Sequence, residues 1–227
     1  MTISLSQSRN DLRGLLHEPR AVRWADSELN TLLDLGQKHV AALTLSYTRR
    51  ATFRNTDAPQ ALLLNLRDYA LAGTVGAGGL SLTDVLAVKT VYLNDAELVE
   101  IIPKAFPTWD ARSRTVGAPR GWYEFAEVLS LIPYPSSAFL ASYDLEIIYA
   151  AQPADWTTGN SVLPEGMSDL VLYFSGALAL FAVQKYADAV MLYDQYMQWS
   201  DAYIPISATQ RPTAKAELAM PSHTPGG

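Results

Sequence analysis

A long helical pattern near the C-terminus constrains the fold of this chain more than any other feature. Apolar side chains recur every three or four residues from about Met167 to Tyr203, as they do on one face of an α-helix. Pro164 and Glu165 suit its first turn. A helix of this length is typical of a pillar in a helical bundle or of a seam between subunits. The stripe comprises Leu170, Tyr173, Phe174, Ala177, Leu180, Phe181, Gln184, Tyr186, Val190, Tyr193, Tyr196, Met197 and Trp199.

The most apolar run of this segment, Leu170 to Val183, predicts a buried helix rather than a membrane span. It is 14 residues long and contains Ser175 and Gly176, whereas a spanning helix needs about 20 apolar residues. The charged residues of the long helix are mainly acidic, with Lys185 as its one base. The polar segment from Met1 to Arg13 lacks the apolar core of a secretory signal.

Two shorter helices are predicted near the N-terminus. The first covers Ser8 to Leu16, with Ser8 or Asn10 as its cap, and Glu18-Pro19 ends it. Asp26 and Ser27 can cap the second, whose apolar residues continue to Leu43. Gly36 weakens the second helix by about 1 kcal/mol relative to alanine. His39 is interpreted as a partly exposed helical histidine.

The central part of the chain is predicted to be rich in β-structure. Strands are expected over Leu45 to Phe53, Val85 to Tyr92 and Leu98 to Ile102. Two short strands are expected within Trp122 to Ile132. The last strand, Tyr143 to Tyr149, places Leu145, Ile147 and Tyr149 on one face. The stretch from Gln60 to Tyr69 can be helical or extended.

A glycine-rich segment from Ala72 to Gly79 is interpreted as a flexible loop between strands. It lacks the lysine and the spacing of a phosphate-binding loop, because no lysine follows Gly79 until Lys89. No cofactor is therefore expected here.

The fold class predicted from these patterns is α+β. Residues 1–44 supply N-terminal helices, 45–151 a β-rich subdomain with the glycine-rich loop, and 152–203 a long C-terminal helix packing on the N-terminal helices. Residues 204–227 form an extended tail, with prolines throughout.

Composition argues against several classes of function. The net charge of -6 disfavours a bulk electrostatic nucleic-acid binder. The chain has no cysteine, which excludes disulfides, cysteine-ligated zinc and thiol catalysis. Its three histidines are far apart and lack metal-ligand spacing, so no metal site is expected.

Carboxylate pairs are the strongest candidates for catalysis. Glu124 with Glu127, or Asp144 with Glu146, can be posed as a glycoside-hydrolase pair. Alternation of Asp144 and Glu146 with apolar residues is what a solvated strand face gives in any case. No catalytic residue is therefore assigned.

Basic and aromatic clusters are the candidates for nucleic-acid contact. Arg49, Arg50, Arg54 and Arg67 could meet phosphates, but a solvated face or a surface for pairing between subunits fits an acidic chain better. The aromatic residues could stack on bases, although core filling is the better interpretation. They are Trp109, Trp122, Tyr123, Phe125, Tyr134 and Phe139.

Five short motifs, in this order, resemble the head-to-tail adaptor (connector) proteins of tailed bacteriophages, those with short tails in particular. They comprise a helix-opening W-x-D-x-E-L, a tryptophan segment with a G-x-P-x-x-Y turn, L-x-L-x-P-x-P, L-x-x-x-Y followed by proline, and a Leu-Pro-Glu helix start. They lie at Trp24–Leu33, Trp109–Tyr123, Leu129–Pro135, Leu145–Pro153 and Leu163–Glu165. The resemblance covers about residues 24 to 200, and the glycine-rich segment departs from it.

The resemblance implies a structural subunit of a ring, usually twelvefold, in the virion. Such a ring joins the portal protein to the tail tube or nozzle protein and leaves a channel through which DNA passes without specific binding. Assembly in the host cytoplasm and no membrane contact are expected. No catalytic residue and no cofactor come with the family.

Two sets of residues are hypothesised to act in such a ring. Asp188, Asp194 and Asp201 would line the channel, where like charge discourages DNA from sticking. The tail would dock on the portal or on a neighbouring subunit through Ile204, Ile206, Arg211, Lys215, Leu218 and Met220. The alternatives are a tail-completion or tail-tube component and, from other classes, a carbohydrate-active enzyme or a generic binding module.

Overall fold

The computed structural model describes residues 3–18, 22–100, 116–164 and 166–203, with only the backbone of residues 99 and 100. In these ranges the helices are α1 (Leu5–Leu15), α2 (Asp26–Thr44), α3 (Ser137–Leu140), α4 (Ser168–Ala182) and α5 (Tyr186–Ser200). The strands are β1 (Thr48–Arg54), β2 (Asp68–Val75), β3 (Val85–Leu93), β4 (Ala96–Glu97), β5 (Val99–Glu100), β6 (Val116–Gly117), β7 (Gly121–Phe125), β8 (Val128–Ile132), β9 (Tyr134–Pro135) and β10 (Asp144–Ala151). The α+β class is confirmed.

The chain divides into two compact units. Among the described residues, the helical unit contains those up to Leu45, Thr157–Ser161 and those from Gly166 onward. The β unit contains Ser46–Trp156 and Val162–Pro164.

The N-terminal helices begin at other residues than the sequence patterns indicate. Ser4 caps α1, because its hydroxyl accepts a hydrogen bond from the Gln7 N–H at 3.2 Å. The prediction of Ser8 or Asn10 as cap was wrong, and Ser8 is buried inside the helix. The cap of α2 is Ala25, one residue before the predicted Asp26, and the Glu28 carboxylate accepts from the Ala25 N–H at 2.7 Å.

Asp26, which was expected to cap α2, instead ties the two N-terminal helices together. Its carboxylate pairs with Arg13 at 2.6 Å and with Arg9 at 3.3 Å. The Arg13 guanidinium lowers the pKa of Asp26 through its hydrogen bond.

The predicted single helix from Met167 to Tyr203 was wrong: α4 ends at Ala182 and α5 begins at Tyr186. Gln184 takes the left-handed conformation, with φ of 61°. Its N–H donates to Phe181 O at 3.0 Å, and the Lys185 N–H donates to Leu180 O at 3.0 Å. This pair of bonds is the Schellman ending of a helix, usually built on glycine. The start at Ser168 agrees with the predicted start near Met167, although Pro164 lies outside the helix.

The helical unit packs α1 on α2 and α4, α2 on α4, and α4 on α5. Leu12, Leu29, Leu33, Val40 and Leu170 are fully buried there. The apolar stripes of the N-terminal helices therefore form a core with the C-terminal helix pair.

The β unit contains two four-stranded sheets, ordered β1-β10-β3-β4 and β2-β8-β7-β5. All pairings in them are antiparallel except β5 with β7. Side chains from both sheets form one buried cluster, with Tyr69, Trp122 and Ile147 among its members. The predicted strands over Val85–Tyr92 and within Trp122–Ile132 are confirmed as β3, β7 and β8, and the turns that follow β3 and β7 use positive φ at Asn94-Asp95 and Ala126-Glu127. Of the strand predicted over Leu98–Ile102, Val99–Glu100 form β5, and residues 101 and 102 lie outside the described residues.

The two faces of β10 differ as its alternation predicts. Leu145, Ile147 and Tyr149 are buried. On the other face Asp144 pairs with Arg54 at 3.7 Å and Glu146 with Arg50 at 3.3 Å across the β1 register. The interpretation of Asp144 and Glu146 as a solvated strand face is confirmed.

The glycine-rich segment was predicted to be a flexible loop between strands, and this prediction was wrong. Its first half belongs to β2, and Gly79 folds back against that strand. The Leu80 N–H donates to Ala70 O at 2.9 Å and the Ser81 N–H donates to Gly73 O at 2.7 Å. The stretch from Gln60 to Arg67 is neither helix nor strand, and β2 begins at Asp68.

Candidate assembly surfaces

One flank of α5 exposes a continuous apolar stripe. Tyr186, Val190, Tyr193 and Met197 are 59%, 48%, 40% and 43% exposed. Their spacing of four, three and four residues places them along one line of the helix. Phe181 of α4 extends the stripe, with its ring centroid 6.3 Å from that of Tyr186. Exposed aromatic patches of this kind mark interaction surfaces.

The stripe lies beside the face that α5 buries in its own unit. At about 100° of rotation per residue, the buried residues Ala189, Leu192, Tyr196 and Ser200 are centred about 85° from the stripe. The helix therefore presents a buried face, two flanks and an outward face.

An aromatic cluster supports the stripe from beneath. The ring of His39 on α2 stacks on Phe174 of α4, with centroids 4.0 Å apart and planes 5° from parallel. Phe174 contacts Tyr196, which contacts Tyr193 in the stripe at 5.8 Å. Burial lowers the pKa of His39. The stripe is thus anchored to α2 and α4 rather than carried on an isolated helix.

The three acidic residues expected in a channel do not share one face of α5. All three are exposed. Asp194 and Asp201 are seven residues apart and lie between the stripe and the outward face. Asp188 lies on the opposite flank, about 120° around the axis from Asp194.

A cleft of about 430 Å³ occupies that opposite flank, where the ends of α1 and α4 meet α5. Apolar side chains form its wall, and charged side chains stand at its rim. It is lined by Leu15, Leu16, His17, Glu18, Val22, Arg23, Trp24, Leu180, Val183, Lys185, Asp188, Met191 and Leu192.

The rim of the cleft is held by one carboxylate. Glu18 Oε1 accepts hydrogen bonds from the backbone N–H groups of Val22, Arg23 and Trp24, at 2.9 Å for Val22 and 3.1 Å for Trp24. Desolvation raises the pKa of Glu18, and these three donors outweigh it, so the pKa lies below its ordinary value. Val22 is left 85% exposed at the rim.

The family of the protein is identified from a match over almost the whole sequence. The sequence matches the SU10 adaptor protein family over residues 3–220. The chain belongs to this family. The family is one of structural phage adaptor proteins, so the resemblance predicted from the motifs is confirmed. A comparison with curated proteins gave no match.

As an SU10 adaptor family member, the chain is a virion component and belongs to a class that is not enzymatic. The carboxylates that had been posed as catalytic have structural roles. Glu124 accepts from the Val88 N–H at 2.7 Å, and Glu127 occupies the tight turn between β7 and β8. Across the described ranges, no group of acidic and histidine residues is placed to hold a metal ion, and no helix is long and apolar enough to span a membrane.

The arginines expected on a solvated face or at a pairing surface between subunits form ion pairs with acidic residues of the same chain. Arg49 pairs with Asp84, Arg67 with Asp68 at 2.9 Å, and Arg50 and Arg54 with the β10 carboxylates. Trp122 and Tyr123 are buried, which confirms them as core residues, whereas Phe125 is 70% exposed, so the prediction that it fills the core was wrong. Trp109 and the six tail residues predicted to dock on a partner lie outside the described residues.

Sequence reasoning missed the cleft because it joins the end of α1 to the corner between α4 and α5, which is distant from α1 in sequence. The predicted apolar face of the single long helix included the stripe residues, and the prediction did not separate the residues that α5 buries from the residues that it exposes. The one available signal was the width of that face, which is greater than one helix can bury.

Proposed function

We propose that this protein forms the adaptor ring that joins the portal to the tail of a phage and leaves a channel for DNA. The ring is built from copies of this chain, twelve in number. Its partners are the portal protein on one side and the tail tube or nozzle protein on the other. Assembly takes place in the host cytoplasm.

The exposed stripe on α5 is the observation that carries the proposal beyond family membership. Monomeric proteins rarely leave a row of aromatic and apolar side chains in water. Repeated copies that pack head to tail would cover this surface, since a heterologous contact closes into a ring when its rotation allows.

The outward face of α5 is proposed to face the channel. With the buried face and both flanks occupied by protein, Asp194 and Asp201 would remain near this side. Their carboxylates repel the DNA backbone and so discourage it from sticking in transit. Asp188, on the flank with the cleft, would lie away from the channel.

The C-terminal tail is proposed to dock on the portal or on a neighbouring subunit, by strand addition or through its apolar residues. Removal of residues 204–227 tests this. If the truncated chain binds the portal as tightly as the full chain, the tail does not dock there.

Electron microscopy of the full chain mixed with the portal protein of the same phage tests the main proposal. A twelvefold ring on the tail-facing end of the portal is expected. A ring of another symmetry that binds only tail proteins would favour a tail-completion component. A discrete monomer that ignores the portal would overturn the proposal and favour a binding module or, with activity on a glycan panel, an enzyme.

A further inference from the structure

We infer that the stripe on α5 of one copy inserts into the cleft of the next copy, and that this contact builds the ring. The inference rests on the proposed function, because it names the surfaces through which the proposed ring closes. The stripe is Tyr186, Val190, Tyr193 and Met197, and the cleft is the one bordered by Val22, Arg23 and Met191.

The position of the two surfaces on one helix is the first argument. Asp188, Met191 and Leu192 turn toward the cleft, and their mean direction is about 180° from the stripe. A surface and its complement on opposite flanks are what a heterologous contact requires, because each copy must use both at once. A twofold dimer would instead bring one surface against itself and leave the cleft empty.

The chemistry of the two surfaces is complementary. The stripe offers two tyrosines, a valine and a methionine, and the cleft has a wall of leucine, valine, methionine and tryptophan side chains. Aromatic anchors that fill an apolar pocket are the residues that dominate binding at protein interfaces. The cleft has room for side chains, since its volume is about 430 Å³.

The charges at the two rims are opposite in sign. Asp194 and Asp201 border the stripe, with no base on that flank of α5. Arg23 and Lys185 stand at the rim of the cleft, and within the described part of the chain neither makes an ion pair. Glu18 is occupied by backbone donors, which leaves Asp188 as the one other acid at that rim. An apolar centre with a rim of opposite charges is the usual anatomy of a protein interface.

Disulfide cross-linking tests the contact directly, because the chain has no cysteine of its own. The double variant Tyr193→Cys/Val22→Cys should give a ladder of covalently linked chains under oxidation, alone or on the portal. Each single variant should give none. A bond within one chain is not expected, since Tyr193 lies on the stripe of α5 and Val22 lies at the rim of the cleft on the opposite side of that helix.

A matched control uses another exposed position of the same helix. Gln198→Cys combined with Val22→Cys places the thiol about 100° away from Met197 around the axis, so no ladder is expected. Covalent dimers from Tyr193→Cys alone would show that the stripes of two copies contact each other, and would overturn the inference. Equal ladders from the control would do the same.

A charge exchange covers the case in which the cysteine variants fail to fold. Asp194→Lys/Asp201→Lys should raise the concentration needed for ring assembly by about tenfold or more. Adding Arg23→Glu/Lys185→Glu in the same chain should restore assembly. Failure of the second pair to restore it, in a folded protein, overturns the inference.

The outcomes separate this contact from the proposed function. Rings on the portal without a ladder from the double variant would overturn the contact and leave the adaptor function standing. A ladder in solution with no ring on the portal would support the contact and overturn the adaptor function. Neither ring nor ladder would overturn both.

Discussion

Gly36 and Ser175 meet where α2 crosses α4, and a side chain at residue 36 would occupy the place of the serine hydroxyl. A Cβ on Gly36 would lie 2.4 Å from Ser175 Oγ and 3.1 Å from Val171 O. Ser175 Oγ donates a hydrogen bond to Leu32 O at 2.9 Å, so it cannot move aside freely. The glycine that weakens α2 as a helix thus allows α2 and α4 to approach closely.

Gly36→Ala should destabilise the protein, although alanine is the better helix former. Overpacking at a backbone contact costs about 1–3 kcal/mol, which exceeds the gain of about 1 kcal/mol in helix propensity. The midpoint of urea unfolding, followed by circular dichroism of the helices, measures the change.

Gly14→Ala is the matched control, since it replaces another helical glycine. A Cβ at Gly14 would have no atom within 4 Å, and the residue is exposed on α1. This variant should be neutral or more stable by up to about 1 kcal/mol. Equal midpoints for the two variants would contradict the steric account of the crossing.

The break between α4 and α5 shows where sequence reasoning reaches its limit in the helical unit. The apolar stripe runs through Val183 and Gln184 without a glycine or proline to mark an end. A left-handed glutamine is disfavoured by itself, so packing of α5 back on α4 and two backbone hydrogen bonds must stabilise it. The local sequence carries no sign of either. The apolar residues were identified, but not which helix buries them.

The β unit was predicted more closely because its signals are local. The alternation around Leu145 and Ile147 and the turn at Asn94-Asp95 depend on residues adjacent in sequence. The return of Gly79 onto β2 was missed, since a cluster of glycines is equally typical of a loop. For the site, the acidic residues of α5 could be identified from the sequence, but neither the helix faces on which they lie nor the cleft could be.

Gly79→Ala should disrupt the β unit more than any exposed substitution there. A Cβ on Gly79 would lie 2.0 Å from the carbonyl carbon of Gly73, which belongs to the backbone of β2. We expect a loss of at least about 3 kcal/mol in the free energy of unfolding, because the backbone must shift. Near-ultraviolet circular dichroism of the buried Trp122 and Tyr69 measures it.

Gly117→Ala provides the comparison for Gly79 within the same unit. Its Cβ would meet Pro133 at 3.4 Å, an ordinary contact. A change of less than about 1 kcal/mol is expected. If Gly79→Ala unfolds at the same denaturant concentration as Gly117→Ala, the close approach to Gly73 is not a constraint.

Tyr196 should make the protein lose stability in alkali. Burial raises the pKa of Tyr196 to about 12, from an ordinary value of 10.0. The folded state therefore keeps a proton that the unfolded state releases, and the free energy of unfolding falls as the pH rises from 10 toward 12. Thermal unfolding as a function of pH, compared with Tyr196→Phe, measures the share of this residue.

Tyr196→Phe should be neutral or stabilising at pH 7, because the Tyr196 hydroxyl is buried and has no hydrogen-bond partner among the described residues. Tyr69 is the contrast. Burial raises its pKa to about 12 as well, but its hydroxyl donates to Leu66 O at 2.9 Å. Tyr69→Phe should cost about 1 kcal/mol. A loss of that size for Tyr196→Phe would reveal a partner for the hydroxyl.

Glu18→Ala should loosen the rim of the cleft without unfolding the helices. The carboxylate is the acceptor for three successive backbone N–H groups, those of Val22, Arg23 and Trp24. Their amide hydrogen exchange should become about tenfold faster or more when the acceptor is removed. Protection in α2 should be unchanged. Glu18→Gln, which keeps one carbonyl acceptor, should be intermediate, and unaltered exchange in both variants would show that other contacts hold the rim.

Asp194→Asn/Asp201→Asn should slow DNA ejection from particles whose rings have assembled, although the loss of these two rim charges should also raise the concentration needed for assembly. In the proposed ring these carboxylates stand near the channel, where their charge keeps the DNA backbone from the wall. Removal of two negative charges per subunit weakens the repulsion between the channel wall and the DNA backbone, so the rate of release should fall on the order of several-fold. Ejection from purified particles, followed with a DNA-binding dye, measures the rate.

Asp188→Asn is the matched control, since Asp188 lies on the flank with the cleft and its substitution should leave the rate unchanged. The difference between the variants should shrink at high salt, which screens exposed charges. Equal ejection rates for all particles at low salt would remove Asp194 and Asp201 from the channel wall.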